Sequence, residues 1–299
     1  MMIEKLISYI SDRNVMQAKY LQKVMLQITP YEKQEFENYL KYMLQIYEIP
    51  FLAESYLLFV DDTLKETKYF VENNFEKYRY SSYEEVANLV YNDENYMSRY
   101  MIGLHLSSYL WINHLKAHRI FKNFLDKFSG NRYLEVGPGH GHYFVEAVKK
   151  GGYKEYTTID ISKTSIEMTR RYVQNYDDLD MEKLHFIHND FLKSSVKDKY
   201  DSIVMSEVLE HVEDPVAFLQ KAYDLLDDKG KIFLNVPINA PEIDHIYLFQ
   251  SAEEVYEVVD SLGFTVLSDY IATANDVDYE KALRKKRPFN LILILEKHI

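Results

Sequence analysis

A glycine-rich turn within residues 133–144 constrains the fold of this chain more than any other feature of the sequence. Apolar residues precede it and a helical stretch follows, so a strand is predicted to run into a tight loop and then into a helix. Glycine stands at three alternate positions, Gly137, Gly139 and Gly141. Glycine accepts backbone angles that other residues avoid, and it leaves no Cβ between the chain and a ligand. The stretch is therefore predicted to hold a nucleotide-like ligand.

The neighbours of these glycines indicate which ligand fits. A dinucleotide loop needs Gly-x-Gly-x-x-Gly, but the position of its last glycine is occupied by His142. Glu135 precedes the first glycine by two residues, and its carboxylate would repel a pyrophosphate. An acid here suits a positively charged ligand, so we expect S-adenosylmethionine. The residues assigned to it in this loop are Glu135, Gly137, Pro138, Gly139 and Gly141.

After Gly130 the sequence alternates short apolar strands with helices. This alternation is typical of a parallel sheet covered by helices on both faces. The predicted strands are Tyr133–Val136, Tyr156–Ile159, Leu184–Ile187, Ser202–Met205, Lys231–Val236, Phe264–Tyr270 and Asn290–Glu296. No clear helix joins the last two, so the final strand is free to return antiparallel. The predicted fold class is α/β, a doubly wound seven-stranded Rossmann-like sheet.

The first part of the chain is predicted to be entirely helical. Leu21, Val24 and Ile28 follow the 3.6-residue period. Thr29, followed by proline and then by an acid, has the pattern of a capped helix start. With 299 residues, the chain exceeds the usual size of one domain. We predict a helical lid and substrate domain over residues 1–120 and a cofactor-binding domain over residues 121–299.

The composition limits the partners and the location of the protein. A formal net charge of -12 argues against nucleic acid held through phosphate contacts, and the basic run at 284–287 is interpreted as a solvated loop. The absence of cysteine excludes disulfides and thiolate metal sites. There is no long apolar run for a membrane span, and the start at Met1 lacks a signal-peptide pattern. We expect a cytoplasmic protein that acts on a small molecule, with a homodimer left open.

Polar residues follow the next strands of the predicted sheet. In an open parallel sheet, ligands bind beyond the carboxyl ends of the strands. Asp160 and Ile161 follow the second strand, where an acid usually accepts hydrogen bonds from ribose hydroxyls. Asp190 and Phe191 follow the third and suit the amino group and the face of adenine. Ser206, at the end of the fourth strand, is assigned to the same ligand.

Together these motifs resemble the class I S-adenosylmethionine-dependent methyltransferases. The resemblance extends from about residue 121 to the C-terminus. The matching stretches are 135–141 for the first family motif, Asp160 for the ribose acid, 190–191 for the adenine motif and 201–212 for the fourth strand and its exit. The resemblance implies transfer of a methyl group from S-adenosylmethionine. It is specific for the cofactor and does not identify the acceptor.

The exit of the fourth strand carries a possible metal site. If a helix begins near Glu207, then Glu207, Glu210 and His211 share one face of it. His245, after the fifth strand, would be a fourth ligand, and such a set suits Mg²⁺, Mn²⁺, Fe²⁺ or Zn²⁺. The pattern resembles ubiquinone-biosynthesis O-methyltransferases and small-RNA 2′-O-methyltransferases, in which the corresponding residues hold a divalent ion. Metal-free relatives also carry the motif, so both interpretations stay open.

The chemistry of the acceptor explains why this set matters. An alcohol must lose its proton, either to a base or through coordination to a cation. Glu207 and His211 are therefore predicted to be catalytic. We expect O-methylation of a small molecule in biosynthesis or natural-product tailoring, with carbon or nitrogen methylation left open. The alternatives are an RNA 2′-O-methyltransferase and a catalytically silent cofactor-binding subunit that activates a partner.

Overall fold

The computed structural model describes residues 1–298, without the side chain of Asp276. Up to residue 127 the regular structure is helical. The helices are α1 (Met2–Arg13), α2 (Val15–Met25), α3 (Pro30–Met43), α4 (Ile49–Glu72), α5 (Tyr83–Val86), α6 (Glu94–Leu110) and α7 (Ile112–Lys127), with a π-helix at Ala87–Tyr91. Thr29 caps α3 as predicted, because its hydroxyl accepts the backbone N–H of Glu32 at 3.2 Å.

From residue 132 strands and helices alternate. The strands are β1 (Arg132–Val136), β2 (Glu155–Asp160), β3 (Leu184–His188), β4 (Tyr200–Ser206), β5 (Leu226–Ile238), β6 (Phe264–Thr273) and β7 (Phe289–Lys297). The helices between them are α8 (His142–Lys150), α9 (Lys163–Gln174), α10 (Pro215–Leu225), α11 (Ala252–Ser261) and α12 (Tyr279–Arg284). All the predicted strands are confirmed. The prediction that no helix lies between the last two strands was wrong, since α12 lies there; it is short and buries only Ala282, so its periodicity is weak.

The strands form a single seven-stranded sheet within residues 1–298, in the order β3-β2-β1-β4-β5-β7-β6. Strands β1 to β5 are parallel, whereas β7 runs antiparallel to both β5 and β6. The chain reverses its strand order between β1 and β4, the usual place for a ligand crevice. The sheet confirms the predicted fold class and the antiparallel return of the last strand.

The two faces of the sheet bury alternate side chains of each strand. Phe233 of β5 packs on one face together with Ile292 of β7. Leu234 and Leu293, each the next residue along its strand, pack on the other. This period of two follows from the pleat of the backbone.

The helices before the sheet share a hydrophobic core with it. One cluster contains Ile3 and Phe36 from the helical part as well as Tyr133 and Phe233 from the sheet. The predicted division at residue 120 stays a prediction, and it falls inside α7. Helix α7 therefore packs against β5, β6 and β7 on one face of the sheet, and the helices before it extend the same core.

None of the helices in the described part of the chain combines the length and the apolar run that crossing a membrane requires.

Candidate active site

A cavity of about 1070 Å³ lies at the carboxyl edge of the sheet, beneath α4 and α6. Its wall contains every residue predicted for the cofactor except Gly141. These residues are Glu135, Gly137, Pro138, Gly139, Asp160, Ile161, Asp190, Phe191 and Ser206. The exits of β1 to β4 therefore meet at one space, as the topology requires.

The glycine loop is held in a conformation that excludes other residues. Gly137 and Gly141 have φ angles of 69° and 83°, in the left-handed region that side chains avoid. A Cβ on Gly137 would lie 2.8 Å from Val208, and one on Gly141 would lie 2.8 Å from the backbone of Thr169. Gly141 is the N-cap of α8, so the loop places the start of a helix behind the cavity wall.

Glu135 is buried on this wall beside a single hydroxyl donor. The Tyr133 hydroxyl donates to Glu135 Oε2 at 2.6 Å. Burial raises the pKa of Glu135 to about 8, and contacts with Tyr133 and the backbone of Phe144 oppose this shift only in part. A buried carboxylate of this kind is stabilised by a positive charge, so it fits the ammonium of S-adenosylmethionine.

The acids at the next two strand exits differ in how they are held. Asp160 Oδ1 accepts the backbone N–H of Ser162 at 2.7 Å, and burial raises the pKa of Asp160 to about 6. Asp190 Oδ2 lies 3.1 Å from the Lys193 ammonium. The ring of Phe191 is buried 5.5 Å from that of Phe218. All three predicted contacts line the cavity, and their roles stay predictions.

The chain after β4 does not form the predicted α-helix. Glu207 has a φ angle of 56°, and a single 3-10 turn follows at Leu209–His211. Glu207 Oε1 accepts hydrogen bonds from Asn290 at 2.9 Å and from Asn235 at 3.3 Å. The prediction that Glu207 shares a helix face with Glu210 and His211 was therefore wrong, because the left-handed backbone turns its side chain toward β5 and β7.

Glu210, His211 and His245 converge without Glu207. We call them the Glu210 group; one ligand atom from each lies within 4.8 Å of the others. His211 Nδ1 lies 3.0 Å from the carbonyl oxygen of Asp244, and His245 Nδ1 lies 2.6 Å from that of Ala240. Because a carbonyl oxygen only accepts, both Nδ1 atoms carry the proton. The unprotonated Nε2 atoms lie 3.5 and 3.9 Å from Glu210 Oε1.

The electrostatics of the Glu210 group fit a cation. Glu210 is fully buried, neither of its oxygens has a hydrogen-bond partner in the described structure, and burial raises its pKa to about 8. Burial lowers the pKa of His245 to about 3. For His211 burial acts downward, but the carboxylates of Asp244 and Glu210 outweigh it and raise the pKa. Two nitrogen ligands and an unpaired carboxylate are a suitable donor set for a divalent metal. Within residues 1–298, three of the four predicted metal ligands come together.

The helical part supplies two tyrosines to this site. Tyr100 donates to Asp244 Oδ1 at 2.8 Å, and Tyr91 donates to Asp244 Oδ2 at 3.1 Å. Asp244 Oδ2 in turn lies 3.5 Å from His211 Nδ1. The only signal was the abundance of tyrosine, which does not show which rings reach the site.

A second set of histidines lies beside the glycine loop, and we call it the histidine cluster. It consists of His105, His118, His140 and His142. Ring centroids are 4.4 Å apart for His105 and His140, and 4.2 Å apart for His118 and His142. The Nε2 atoms of His105, His118 and His142 have no hydrogen-bond partner within residues 1–298. Burial lowers the pKa of all four; neighbouring imidazoles reinforce the shift at His105, His140 and His142, and the Lys122 ammonium reinforces it at His118.

Comparison with known proteins identifies relatives of the sheet-forming part. A family described as "Methyltransferase domain" matches residues 111–269. The mitochondrial ubiquinone biosynthesis O-methyltransferase of Schizosaccharomyces pombe is 27% identical over 132 residues, 44% of this chain and 47% of that protein. The tRNA U34 carboxymethyltransferase of Sulfurimonas denitrificans is 28% identical over 128 residues, 42% of this chain and 40% of that protein. The chain thus spans about half the length of the curated relatives it matches.

Solved structures show the same fold at low identity. The mitomycin 7-O-methyltransferase MmcR aligns with a TM-score of 0.55 and 9% identity, over 83% of this chain and 70% of that one. The [4+2]-cyclase SpnF aligns with a TM-score of 0.50 and 15% identity, over 60% of this chain and 80% of that one. Proteins with different reactions thus share this architecture, and the reaction has to be inferred from the site.

Proposed function

This chain belongs to the class I S-adenosylmethionine-dependent methyltransferases, and on that premise we propose that it methylates a hydroxyl of a small molecule with the help of a divalent cation. The observation that carries the proposal is the Glu210 group. A buried carboxylate without a hydrogen-bond partner faces two unprotonated imidazole nitrogens, and both histidines line the cavity. Burying an unpaired carboxylate in this way destabilises the fold unless a cation or a proton binds to it.

On the cofactor side of the cavity, the residues of the chain bind S-adenosylmethionine and orient it. The glycine loop offers backbone without side chains, Glu135 places a carboxylate for the ammonium, and Asp160 places one for the ribose. S-adenosylmethionine supplies an electrophilic methyl group. The protein's main task is to hold the acceptor oxygen in line with that methyl group.

On the acceptor side, Glu210, His211 and His245 would hold the cation. A divalent ion supplies Lewis acidity, which lowers the pKa of a hydroxyl that coordinates it. Because the ion would occupy His211 Nε2 and Nδ1 already carries a proton, the hydroxyl proton would pass to solvent as the new carbon–oxygen bond forms. Asp244 Oδ2, which lies 3.5 Å from His211 Nδ1, would orient the ring so that Nε2 faces the ion.

The charge of the cavity favours an acceptor that is not an anion. The acidic side chains on its wall are Glu84, Glu135, Asp160, Asp190, Glu207, Glu213, Asp214, Glu242 and Asp244, and its cations are Lys193 and Arg287. Burial raises the pKa of Glu135 and of Glu242, so the negative charge comes chiefly from the other acids. Such a wall repels polyphosphates. Together with the net charge of -12, this supports a small molecule over RNA as the acceptor.

The function can be tested with an isotopically labelled methyl donor. The protein is incubated with labelled S-adenosylmethionine, Mg²⁺ or Mn²⁺, and either the small-molecule fraction or the RNA fraction of a cell extract. We expect label in a small molecule, bound through oxygen, as identified by mass spectrometry. Label that enters only RNA would contradict the proposal, and so would label bound only through nitrogen or carbon.

A further inference from the structure

The cavity has a second polar wall, separate from the Glu210 group, to which both parts of the chain contribute. Glu207 lies on it after β4, and His114 reaches it from α7. His114 Nε2 lies 3.7 Å from Glu207 Oε1. The two side chains are 12% and 26% exposed, so they face the cavity and not bulk water.

Glu207 is held firmly in this position. Asn290 and Asn235 both donate to its Oε1, while Asn113 donates to Asn290 Oδ1 at 2.8 Å. Among residues 1–298, no side chain donates a hydrogen bond to Glu207 Oε2. A glutamate at positive φ is strained, and such strain is found mainly where surrounding structure imposes it at a functional site. The network thus fixes a carboxylate that has one oxygen left for a ligand.

His114 presents a second acceptor. The Ser107 hydroxyl donates to the carbonyl oxygen of Leu104 at 2.6 Å. The Ser107 oxygen therefore accepts the proton on His114 Nδ1 at 2.8 Å. This leaves Nε2 unprotonated, and burial lowers the pKa of His114 although Glu207 opposes the shift. A carboxylate and an imidazole nitrogen thus face each other as acceptors without a donor between them.

The surroundings favour a cationic donor over a neutral one. The Trp111 ring lies 5.1 Å from that of His114 and lines the same cavity. An aromatic face attracts an ammonium through its quadrupole. The Asp244 carboxylate adds negative charge to the cavity wall. An ammonium offers three donors and a positive charge, which a hydroxyl does not.

We infer that Glu207 and His114 bind an ammonium group of the acceptor, so that the substrate is a hydroxylated small molecule that also carries a basic amine. This rests on the proposed function, in which the Glu210 group takes the hydroxyl. Glu207 and His114 thereby determine specificity. Glu207 has this role in place of the metal coordination predicted from sequence.

Three matched catechols test the inference by binding. The probes are dopamine, 4-ethylcatechol and 3,4-dihydroxyphenylacetate, which share a ring and differ in the charge of the side chain. Each is titrated calorimetrically into protein saturated with S-adenosylhomocysteine and Mg²⁺. We expect dopamine to bind at least about tenfold more tightly than 4-ethylcatechol, as a charge-assisted hydrogen bond implies. The anionic probe should bind most weakly.

Variants assign the preference to this wall. Glu207→Gln should lower the affinity for dopamine to that for 4-ethylcatechol, since a neutral side chain forms no ion pair with the ammonium. The affinity for 4-ethylcatechol itself should change by less than about twofold. His114→Gln, on a helix and away from the strained turn, should reduce the advantage in part. The matched control is Glu257→Gln, an exposed acid on α11, which should leave the ranking unchanged. Thermal melting with S-adenosylhomocysteine checks that each variant is folded.

Each remaining outcome overturns the inference. If dopamine does not bind, binds no more tightly than 4-ethylcatechol, or keeps its advantage in both variants, no ammonium site exists on this wall. Turnover with labelled S-adenosylmethionine separates this result from failure of the proposed function. Methyl transfer to 4-ethylcatechol without a preference for the amine leaves the function standing. A preference for the amine without any methylated product leaves the binding site standing and removes the hydroxyl-directed function.

Discussion

The Glu210 group and the histidine cluster lie at the same edge of the sheet, yet the pKa of His211 is raised whereas the pKa of every imidazole in the histidine cluster is lowered. His211 lies 3.5 Å from carboxylate oxygens of Glu210 and Asp244, and these carboxylates raise its pKa despite burial. The pKa of His118 falls to about 3, chiefly through burial. At His211 carboxylates thus reverse the effect of burial on the pKa of an imidazole, whereas His245 in the same group keeps a pKa of about 3.

The two sets also differ in what surrounds their free nitrogens. In the Glu210 group the Nε2 atoms converge on a carboxylate at the cavity wall. In the histidine cluster the rings pack on one another and on aromatic side chains, such as Tyr39, whose ring lies 3.6 Å from that of His105. The first arrangement is suited to a ligand, whereas the second packs α6 and α7 against the glycine loop.

The largest expected effect is the loss of metal affinity caused by Glu210→Gln. Loss of the carboxylate removes the only charged ligand of the Glu210 group, so the affinity for a divalent metal should fall by more than about 100-fold. Metal bound to protein purified without chelator, measured by mass spectrometry, checks this. In EDTA the melting temperature should not fall, because Glu210 makes no side-chain hydrogen bond within residues 1–298 that would be lost. Equal metal content in wild type and variant would remove the metal from the mechanism.

Lowering the pH should reduce the stability of the fold through the histidine cluster. The unfolded chain binds a proton at His118 near pH 6.5, whereas the folded chain does so only near pH 3, so stability falls as the pH falls between these values. Replacing His118 by Phe should reduce the loss between pH 7 and pH 5 by about 2 kcal/mol. Urea unfolding at both pH values measures it. The same loss in wild type and variant would mean that His118 is protonated when folded.

A smaller effect, on activity and its pH dependence, is expected from a change at Asp244, which lies beside His211. Asp244→Asn removes a carboxylate that raises the pKa of His211. The acidic limb of the pH profile of kcat/KM should therefore move to lower pH. Activity at neutral pH should fall by about tenfold, because the orientation of His211 is less well fixed. An unshifted limb would show that another group limits the rate in acid.

The smallest effect should come from a histidine outside both sets. His185 is exposed on β3. His185→Ala should change the free energy of unfolding by less than about 0.5 kcal/mol at pH 7 and at pH 5, and it should leave the metal content unchanged. A larger effect of this variant would show that the pH dependence is not specific to the histidine cluster.

Sequence reasoning succeeded where a regular period or a glycine carried the information. The strands were predictable because both faces of the sheet are buried, so a strand such as β5, with Phe233 and Leu234, is a short apolar run between helices. The glycine loop was predictable because the spacing of its glycines permits few other conformations. The convergence of His211 with His245 rested on the rule that parallel strands end at one edge.

It failed where tertiary contacts decide the local structure. Glu207 adopts positive φ although nothing local favours it, since glycine or asparagine would be expected there. The amides of Asn235 and Asn290 hold it, and both lie far along the chain. In the helical part, Tyr91 and Tyr100 donate hydrogen bonds to Asp244. The sequence does not distinguish them from the many other tyrosines in the same region.

The core that runs from Ile3 to Phe233 has a consequence for how such enzymes diversify. If the acceptor-binding helices were a detachable module, evolution or an engineer could exchange residues 1–120 and retain the methyl-donor site. Here the exchange would remove part of the core that this side of the sheet shares with the helices, and the break would fall within α7. New acceptor specificity in this scaffold therefore has to arise through point changes on the cavity wall, under the constraint that the shared core stays filled.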